Sequence, residues 1–598
     1  MVTNYRVVFL PDNIEIEVPE GKNVLQAAGL AGVELDGPCG GNGSCGKCRV
    51  RILDEKGAYQ WVLACRTEIT RDMTVEIPQL EVSLHRKNEL SLAALHVSID
   101  PGIYKKAVFV STPSLENQHS DAERLLNALE EGAWEFRIEA LRSLPKAVRD
   151  KKAKGLVTAV IAEQQVLAIE PGDSTDKLFG IAVDIGTTSV VVALMDLITG
   201  DTLGVASASN PQATFGADVI ARIDHVIQNP EGLNQLNRRV IQTINRLTAK
   251  LAKDNNILPE EIYQMTVVGN TTMTHLFLKA DPTNLATSPF IPVVSKAVQA
   301  EAKDLNIDIA PHGKVYVVPC IAGYVGGDTI GVIMSTDIYK KQGTYLAIDI
   351  GTNGEIVLAK DGEMISCSTA AGPAFEGAQI RYGMRAANGA IEKVVITDDV
   401  EIKVIGNQPA KGICGSGLMD AVAEMIKAGV IEPGGRLLSP EDAGHLSPAL
   451  QKRLGNNEEY GAYFILAYQE DNLGEEVVLT QKDIRELQLA KAAIAAGIQV
   501  LLDQLNLTVQ EIDEVLLAGA FGSYINKYSA LGIGLLPPTE PDKIKSVGNA
   551  AGTGARMALI SQEIRREAEK VARRVKHLEL SCREDFQDRF VKNLSFKN

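Results

Sequence analysis

The sequence predicts a multidomain protein, α+β at its N-terminal end and α/β over most of its length. Three observations predict it. The chain has 598 residues, enough for three or four domains, and its 45 % hydrophobic fraction can fill real cores. Cys39, Cys45, Cys48 and Cys65 crowd into one glycine-rich segment, while the other four cysteines stand singly. And one phrase is written twice, LFGIAVDIGTTSVVVALMDLITG from Leu178 to Gly200 and TYLAIDIGTNGEIVLAKDG from Thr344 to Gly362.

A formal net charge of −16 argues against a nucleic-acid binder or an anionic-membrane binder. The opening MVTNYRVVFLPDN lacks the apolar run of a signal peptide. The best uninterrupted apolar stretch, SVVVALM, is far too short to span a bilayer. The expected location is the cytoplasm, where thiols stay reduced and clustered cysteines read as metal ligands rather than disulfides.

The cysteine spacing is Cys39-x5-Cys45-x2-Cys48, then sixteen residues to Cys65. Four thiolates could hold one zinc, but structural zinc usually shows two close pairs. The pattern lies nearer the plant-type iron–sulfur spacing, C-x4-C-x2-C…C, with one extra residue in the first gap. Gly37, Gly40, Gly41, Gly43 and Gly46 let backbone N–H groups approach sulfur, which tunes a cluster's potential. On the flanks, YRVVFL and IEIEV alternate about a Pro-Asp-Asn turn, NVLQAAGLAG reads as a helix capped by Asn23, and RVRIL and MTVEIP read as strands. This order of elements resembles a β-grasp ferredoxin, which implies a [2Fe–2S] cluster on Cys39, Cys45, Cys48 and Cys65. Cys320, Cys367, Cys414 and Cys582 have no partner at ligand spacing and read as small hydrophobes.

Each copy of the repeated phrase reads as a strand, a Gly-Thr tip and a second strand, placing Asp184 and Asp349 in a pseudo-symmetric pair. A tip of glycine and threonine can bring N–H and hydroxyl donors up to phosphate oxygens. An aspartate beside it can hold the water shell of Mg²⁺. Alone, one such tip is an ordinary turn; two in matching contexts are a clamp for a triphosphate. EVLLAGAFGSY, Glu514 to Tyr524, is a strand ending in small residues that a flat base could approach, and VVGNTTMTHL is its counterpart in the first half, with Asn270 or Thr271 as cap. GNAAGTGA, Gly548 to Ala555, is another small-residue helix start.

These motifs, in this order from about residue 176 to 598, resemble the actin-like ATPase superfamily, with its two related ribonuclease H-like lobes about a nucleotide. The resemblance implies that Asp184, Gly186, Thr187, Thr188, Asp349, Gly351, Thr352 and Asn353 line the phosphates, and that Gly519 and Ala520 lie by the adenosine. Asp328, in GYVGGDT, could orient water or metal, or could simply cap the helix that follows.

Residues 1–80 form the expected ferredoxin-like domain, 81–98 a linker containing HRKNELSLAALH, 99–175 a small middle α/β domain, and 176–598 the ATPase. The middle unit reads as a strand (KAVFVSTPSL), a helix (ERLLNALEE) and a hairpin, with no candidate chemistry; a spacer or dimerisation role is expected. In NPEGLNQLNRRVIQTINRLTAKL an Asn cap and a Pro at the first helical position precede Leu233, Leu236, Val240, Ile244, Leu247 and Leu251, a core stripe. Gly216 and Asp218 mark a helix entry after NPQATF, either structural or part of the cleft. The charged SQEIRREAEKVARRVKHLEL reads as a solvated helix.

A plant-type cluster sits near −400 mV, and each 59 mV uphill costs about tenfold for one electron. An ATPase joined to such a cluster could make an unfavourable transfer productive. The whole arrangement resembles the reductive activators of corrinoid proteins. That resemblance implies ATP- and Mg²⁺-dependent reduction of a Co(II) corrinoid protein of a methyltransferase system to Co(I), fed by an upstream low-potential donor. It leaves a homodimer open and involves neither nucleic acid nor membrane. Relatives in methanogens carry cysteine-rich C-terminal clusters; here that region has only Cys582. Two other readings stay open: an ATP-driven electron donor to a radical dehydratase, and an actin-like ATPase or kinase whose cluster senses redox state.

Overall fold

The computed structural model describes the chain except residues 1–2, 11–12, 34, 36–47, 54–58, 78–96, 117, 131, 133, 378, 470–471, 473–475, 523–524 and 597–598, and the side chains of Ala520 and Phe521. Cys39 and Cys45, the glycines between them and nearly all of the expected linker lie outside the described residues.

At the N-terminus, β1 (Asn4–Leu10) and β2 (Ile14–Pro19) form the expected hairpin. Helix α1 (Val24–Ala31) starts at Asn23, whose side chain accepts from the Gln26 backbone in a capping box. Then come β3 (Arg49–Leu53), β4 (Tyr59–Leu63) and β5 (Met73–Glu76), which closes the sheet in the order β2-β1-β5-β3-β4. β5 runs parallel to β1 and antiparallel to β3. Period-two alternation turns Val7, Phe9, Val50 and Val75 inward against Val24 and Leu25 of α1, giving this unit its own core. Sheet and helix form the expected β-grasp.

The second unit contains β6 (Ile103–Phe109), α2 (Asp121–Leu129), β7 (Glu135–Phe136), α3 (Ile138–Val148), β8 (Leu156–Ala162) and β9 (Gln165–Pro171), with sheet order β6-β8-β9-β7. Helix α3 is absent from the sequence reading because Pro145 interrupts its pattern; Ala140, Leu144 and Ala147 nonetheless face the core.

The third unit has two lobes, the first running β10 (Phe179–Ile185), β11 (Ser189–Asp196), β12 (Thr202–Ser209), α4 (Val219–Gln228), α5 (Gly232–Asp254), β13 (Ile262–Gly269), α6 (Thr271–Leu278), β14 (Val298–Glu301), β15 (Lys314–Val317) and α7 (Gly327–Thr336). The second runs β16 (Thr344–Ile350), β17 (Gly354–Lys360) and β18 (Glu363–Thr369). An insert follows: β19 (Ala390–Ile396), β20 (Val400–Val404), β21 (Gly412–Ile413), α8 (Gly415–Lys427), α9 (Pro448–Arg453), β22 (Leu454–Asn457), β23 (Gly461–Ala467) and β24 (Val477–Thr480). The lobe resumes with α10 (Gln481–Gln504), β25 (Glu514–Ala518), α11 (Gly519–Gly522), α12 (Lys527–Gly532), β26 (Ile544–Gly548), α13 (Ala550–Ile560) and α14 (Gln562–Arg574).

The two six-stranded sheets share five strands in one topology, β12-β11-β10-β13-β15 and β18-β17-β16-β25-β26, as the repeated phrase requires; β14 extends the first beyond β15, and Lys576–His577 the second beyond β18. In each, an antiparallel meander meets a parallel strand at the hairpin strand bearing the aspartate. Helix α5 covers the outer face of the first sheet with Leu236, Val240, Ile244, Leu247 and Leu251. Helix α10 covers the second with Ile484, Leu487, Ile494 and Ile498. Between the sheets lie α7 and α13, packed on Ala182 and Ala193 from one side and Ala347 and Val357 from the other. These two helices cross at Gly331 and Gly554; a Cβ at Gly554 would stand 2.3 Å from the Gly331 carbonyl oxygen.

Two helix starts differ from expectation. Glu231 occupies the N-cap of α5, whereas Asn229 caps the end of α4 and Pro230 lies in the turn between. Gly326 occupies the N-cap of α7, and Asp328 sits inside the first turn with its Oδ1 accepting from the Thr329 N–H at 2.7 Å. Glycine suffices at that cap because the close approach of Gly326 to Gly269 and Asn270 leaves no room for a side chain there. Asp218 caps α4 as expected, accepting from the Ala221 N–H at 2.8 Å.

The second unit docks on both lobes. Tyr263 and Lys105 both donate to Glu170, and His312 lies between Glu139 and Glu301. The Asp100 backbone bonds Ile560 and Gln562 at the α13–α14 junction. Among the described residues no helix is long and apolar enough to cross a membrane.

Candidate active site at the paired hairpins

Both copies of the phrase form tight hairpins. Gly186 N–H donates to the Ser189 carbonyl at 2.8 Å, and Gly351 N–H to the Asn353 carbonyl at 3.0 Å. The tips meet: Thr188 Oγ1 and Thr352 Oγ1 stand 3.3 Å apart, one from each lobe. The first tip is held from behind. Arg222 donates to the Thr187 carbonyl, Asn210 donates through Nδ2 to the Gly186 carbonyl at 2.8 Å, and Asn270 Nδ2 donates to Thr187 Oγ1 at 3.0 Å. Asn270 also caps α6, accepting from the Met273 N–H at 2.9 Å. The segment beginning at Asn210 therefore belongs to the cleft as well as to the helix entry.

Deeper in the cleft, Asp184, Asp328, Asp349 and Glu355 repel one another. Burial and the charge of Asp328 push Asp184 up to about 7, against a hydrogen bond from Asn549. Burial, Asp328 and Asp184 push Asp349 up to about 8. Burial pushes Asp328 up to about 6, opposed by the Thr329 N–H. Glu355 is raised well above the ordinary carboxyl value by burial, Asp328 and Asp349. Asp328 is the shared neighbour, so the α7 turn that carries it completes the site. Gly519, at φ +92°, follows β25 and opens α11 against Asp349: a Cβ there would lie 2.7 Å from Asp349 Oδ1. It is placed beside the carboxylates; of Ala520 only the backbone, within α11, is described.

Carboxylates held partly protonated in a cleft suit a cation that displaces the protons. Among the described residues no three His, Cys, Asp or Glu side chains converge for direct ligation of an ion, an arrangement compatible with a cation that keeps its waters. The pH dependence follows. These carboxyls ionise near 4 in the unfolded chain but near 6 to 8 when folded. Their contribution to stability is full below about 4 and is lost as pH rises through about 6 to 8. In EDTA the melting temperature is therefore expected to fall across that window, and saturating Mg²⁺ to restore it most at pH 8. A flat profile in EDTA would contradict the clustering.

Arg222 is fully buried and its guanidinium is lowered to about 9 by burial, against the charges of Asp218 and Glu376. Glu376, Glu355, Arg222, Arg385 and Asn549 escape the sequence reading. Glu355 alone left a signal: it stands opposite Asp349 where the first copy has Val191 opposite Asp184, a charge breaking an apolar repeat.

The second site lies in the N-terminal sheet. Cys48 directly precedes β3 and Cys65 follows β4, so one hairpin brings the two together. Ala64 N–H donates to the Cys48 carbonyl at 2.7 Å and Cys65 N–H points to Cys48 Sγ at 3.4 Å. Both are buried, and an N–H aimed at sulfur is the donor set a thiolate-held cluster needs. Asn23, the α1 cap, donates to the Cys65 carbonyl at 3.2 Å and ties the site to the helix. Of the remaining cysteines, Cys320, Cys367 and Cys414 are buried and Cys582 is exposed.

Four family models match in succession: a 2Fe-2S iron-sulfur cluster binding domain over residues 8–70, a RACo linker region over 93–176, a RACo middle region over 179–341 and the C-terminal ASKHA domain of RACo over 343–598. The corrinoid activation enzyme RamQ of Eubacterium limosum is 32 % identical over 615 residues, covering 99 % of both chains. The chain belongs to the RACo family of reductive activators. A solved reductive activator for corrinoid, iron-sulfur protein superposes at TM-score 0.75 with 36 % identity, over 99 % of this chain and 98 % of that one. The Co(II) methylated amine-specific corrinoid protein reductase of Methanosarcina barkeri is 25 % identical over 459 residues, covering 70 % of this chain and 77 % of its own. The 2Fe-2S model and the RACo C-terminal ASKHA model match the two ends of this one chain.

Proposed function

We propose that this chain couples MgATP to the one-electron reduction of a Co(II) corrinoid protein of a methyltransferase system, returning it to the Co(I) state that accepts a methyl group. The observation that carries the reading is the joining of a 2Fe-2S domain to paired phosphate hairpins in one chain, with likeness to a corrinoid activation enzyme over 99 % of its length. Cys39, Cys45, Cys48 and Cys65 are the ligand set; a [2Fe–2S] group bound there supplies one low-potential electron. Gly186, Thr187, Thr188, Gly351, Thr352 and Asn353 cradle the phosphates. Asp184, Asp349 and Asp328 would hold the water shell of Mg²⁺ in their ionised forms, and the cation would supply positive charge against the phosphates. Gly519 and Ala520 lie toward the adenosine. ATP can drive the transfer only by favouring one arrangement of the lobes and the docked acceptor over another.

The reading takes residues 1–80 as the cluster domain, 81–98 as tether, 99–175 as the small α/β unit and 176–598 as the ATPase. It includes an upstream low-potential donor, allows a homodimer, and places the protein in the cytoplasm with no nucleic-acid or membrane role. The test is anaerobic. Reduced protein is mixed with a Co(II) corrinoid protein from the same genome, and Co(I) absorption is followed with and without MgATP. Co(I) is expected only with MgATP, and Asp349→Ala should slow its formation by at least about a hundredfold. No Co(I) with any candidate corrinoid partner, from protein with a reducible cluster and active ATPase, would favour a redox-sensing ATPase instead.

A further inference from the structure

Glu376 sits where the two lobes meet. It ends a short turn, Pro373–Glu376, between β18 and the insert. Its Oε2 accepts from Thr352 Oγ1 at 2.9 Å and from Thr188 Oγ1. One carboxylate oxygen thus takes the hydroxyl protons of both hairpin tips, one from each lobe. Each threonine hydroxyl has a single O–H to donate. A terminal phosphate oxygen that is to receive those two protons must take them from Glu376, and two anions cannot share them without repulsion.

From this geometry we propose that Glu376 is a γ-phosphate surrogate: before ATP binds, its carboxylate occupies the anion position made by Thr188 and Thr352, and the γ-phosphate displaces it. The proposal rests on reading the hairpins as the phosphate site. ADP, which lacks the terminal phosphate, leaves the carboxylate in place. The moving part is the side chain, because Ala374 and Phe375 beside it are buried and hold the turn. The first hairpin keeps its shape when Glu376 leaves, since Arg222 donates to the Thr187 carbonyl and Arg385 donates to the Thr188 carbonyl at 3.1 Å and to Ser209. Moving the carboxylate away from the buried Arg222 guanidinium, which feels its charge, leaves local positive charge for the incoming phosphate. Glu376 is therefore a positioning residue that distinguishes ATP from ADP, and its release is the event that reports the γ-phosphate to the insert.

The test is nucleotide affinity by calorimetry on the full-length protein with Mg²⁺, using ADP and the slowly hydrolysed β,γ-imido analogue of ATP. Glu376→Ala is expected to tighten the ATP analogue by roughly tenfold or more, since its internal competitor is gone, and to leave ADP within about twofold. Glu376→Gln, nearly isosteric but uncharged, should fall between, and its melting temperature checks folding. Thr352→Val should weaken the ATP analogue more than ADP. If Thr352→Val weakens the ATP analogue but the Glu376 variants shift both nucleotides alike, or weaken the analogue, the hairpins are the phosphate site and the surrogate role is wrong. If Thr352→Val changes neither nucleotide, the hairpin reading falls and the proposal with it.

Discussion

Cys65→Ser is expected to abolish MgATP-dependent Co(I) formation while leaving basal ATP hydrolysis within about twofold of the parent rate. A serine hydroxyl keeps the backbone and nearly the volume but is not a thiolate at neutral pH, and the thiolate is the metal ligand. The Cys65 N–H would still reach Cys48 Sγ and its carbonyl would still accept from Asn23, so the fold around the hairpin survives. The ferredoxin sheet has its own core, separate from those of the ATPase, which is why hydrolysis should be spared. Visible absorbance and iron content report the cluster, Co(I) absorption reports the transfer, and phosphate release reports the ATPase. Full Co(I) formation by the variant would remove Cys65 from the ligand set.

The second large effect is expected at the helix crossing. Gly554→Ala lies in the middle of α13, where helix propensity alone would favour alanine by about 1 kcal/mol. Packing opposes it. The new Cβ would stand 2.3 Å from the Gly331 carbonyl oxygen and 2.4 Å from its Cα, and both neighbours are backbone that no rotamer change can move. Overpacking of this kind costs about 1–3 kcal/mol, so the sign of the propensity effect is expected to reverse. At about 2.1 cal/mol/K per residue, a cooperative body the size of the two lobes shifts by roughly 1 °C for each kcal/mol, so the melting temperature should fall by about 1–3 °C. Catalysis should suffer more than stability, because α7 carries Asp328 and α13 begins at Asn549 beside Asp184. A displacement near 1 Å there can cost on the order of a hundredfold in rate. Gly532→Ala, with nothing within 4 Å of its would-be Cβ, is the control and should be close to neutral. A Gly554→Ala protein as stable as the parent would mean that the helices do not touch at that residue.

The elements that the sequence discloses are those whose chemistry is local. A helix cap is local to one turn, and Asn23 reads directly as one. A hairpin tip is as local, and two copies of Asp-Ile-Gly-Thr in like surroundings disclose two sheets of one topology. The core stripe of α5 reads from its spacing, with only its starting residue displaced to Gly232. What stays hidden is what distance in sequence conceals. Thr188 and Glu376 are separated by 188 positions, and no periodicity announces their bond. Arg222 looks like one more polar residue on an amphipathic helix until burial places it behind the Thr187 carbonyl. For Asp328 the sequence leaves two readings, a cleft carboxylate or a helix cap; the N-cap position of Gly326 removes the second.

The position of α7 and α13 has a consequence for how the molecule can be divided. Helix α7 belongs to the first half of the sequence and α13 to the second, yet both lie between the sheets in one shared core. Cutting the chain between Thr336 and Thr344 would bare Ile330, Ile333 and Met334 on one fragment and Met557 and Leu559 on the other, all residues with almost no exposed surface in the intact chain. The border near residue 342 is thus a seam between repeats of a sequence and not between folding units. The two halves are therefore expected to melt as a single cooperative body, and a gene split at that seam to yield two fragments that become native only together.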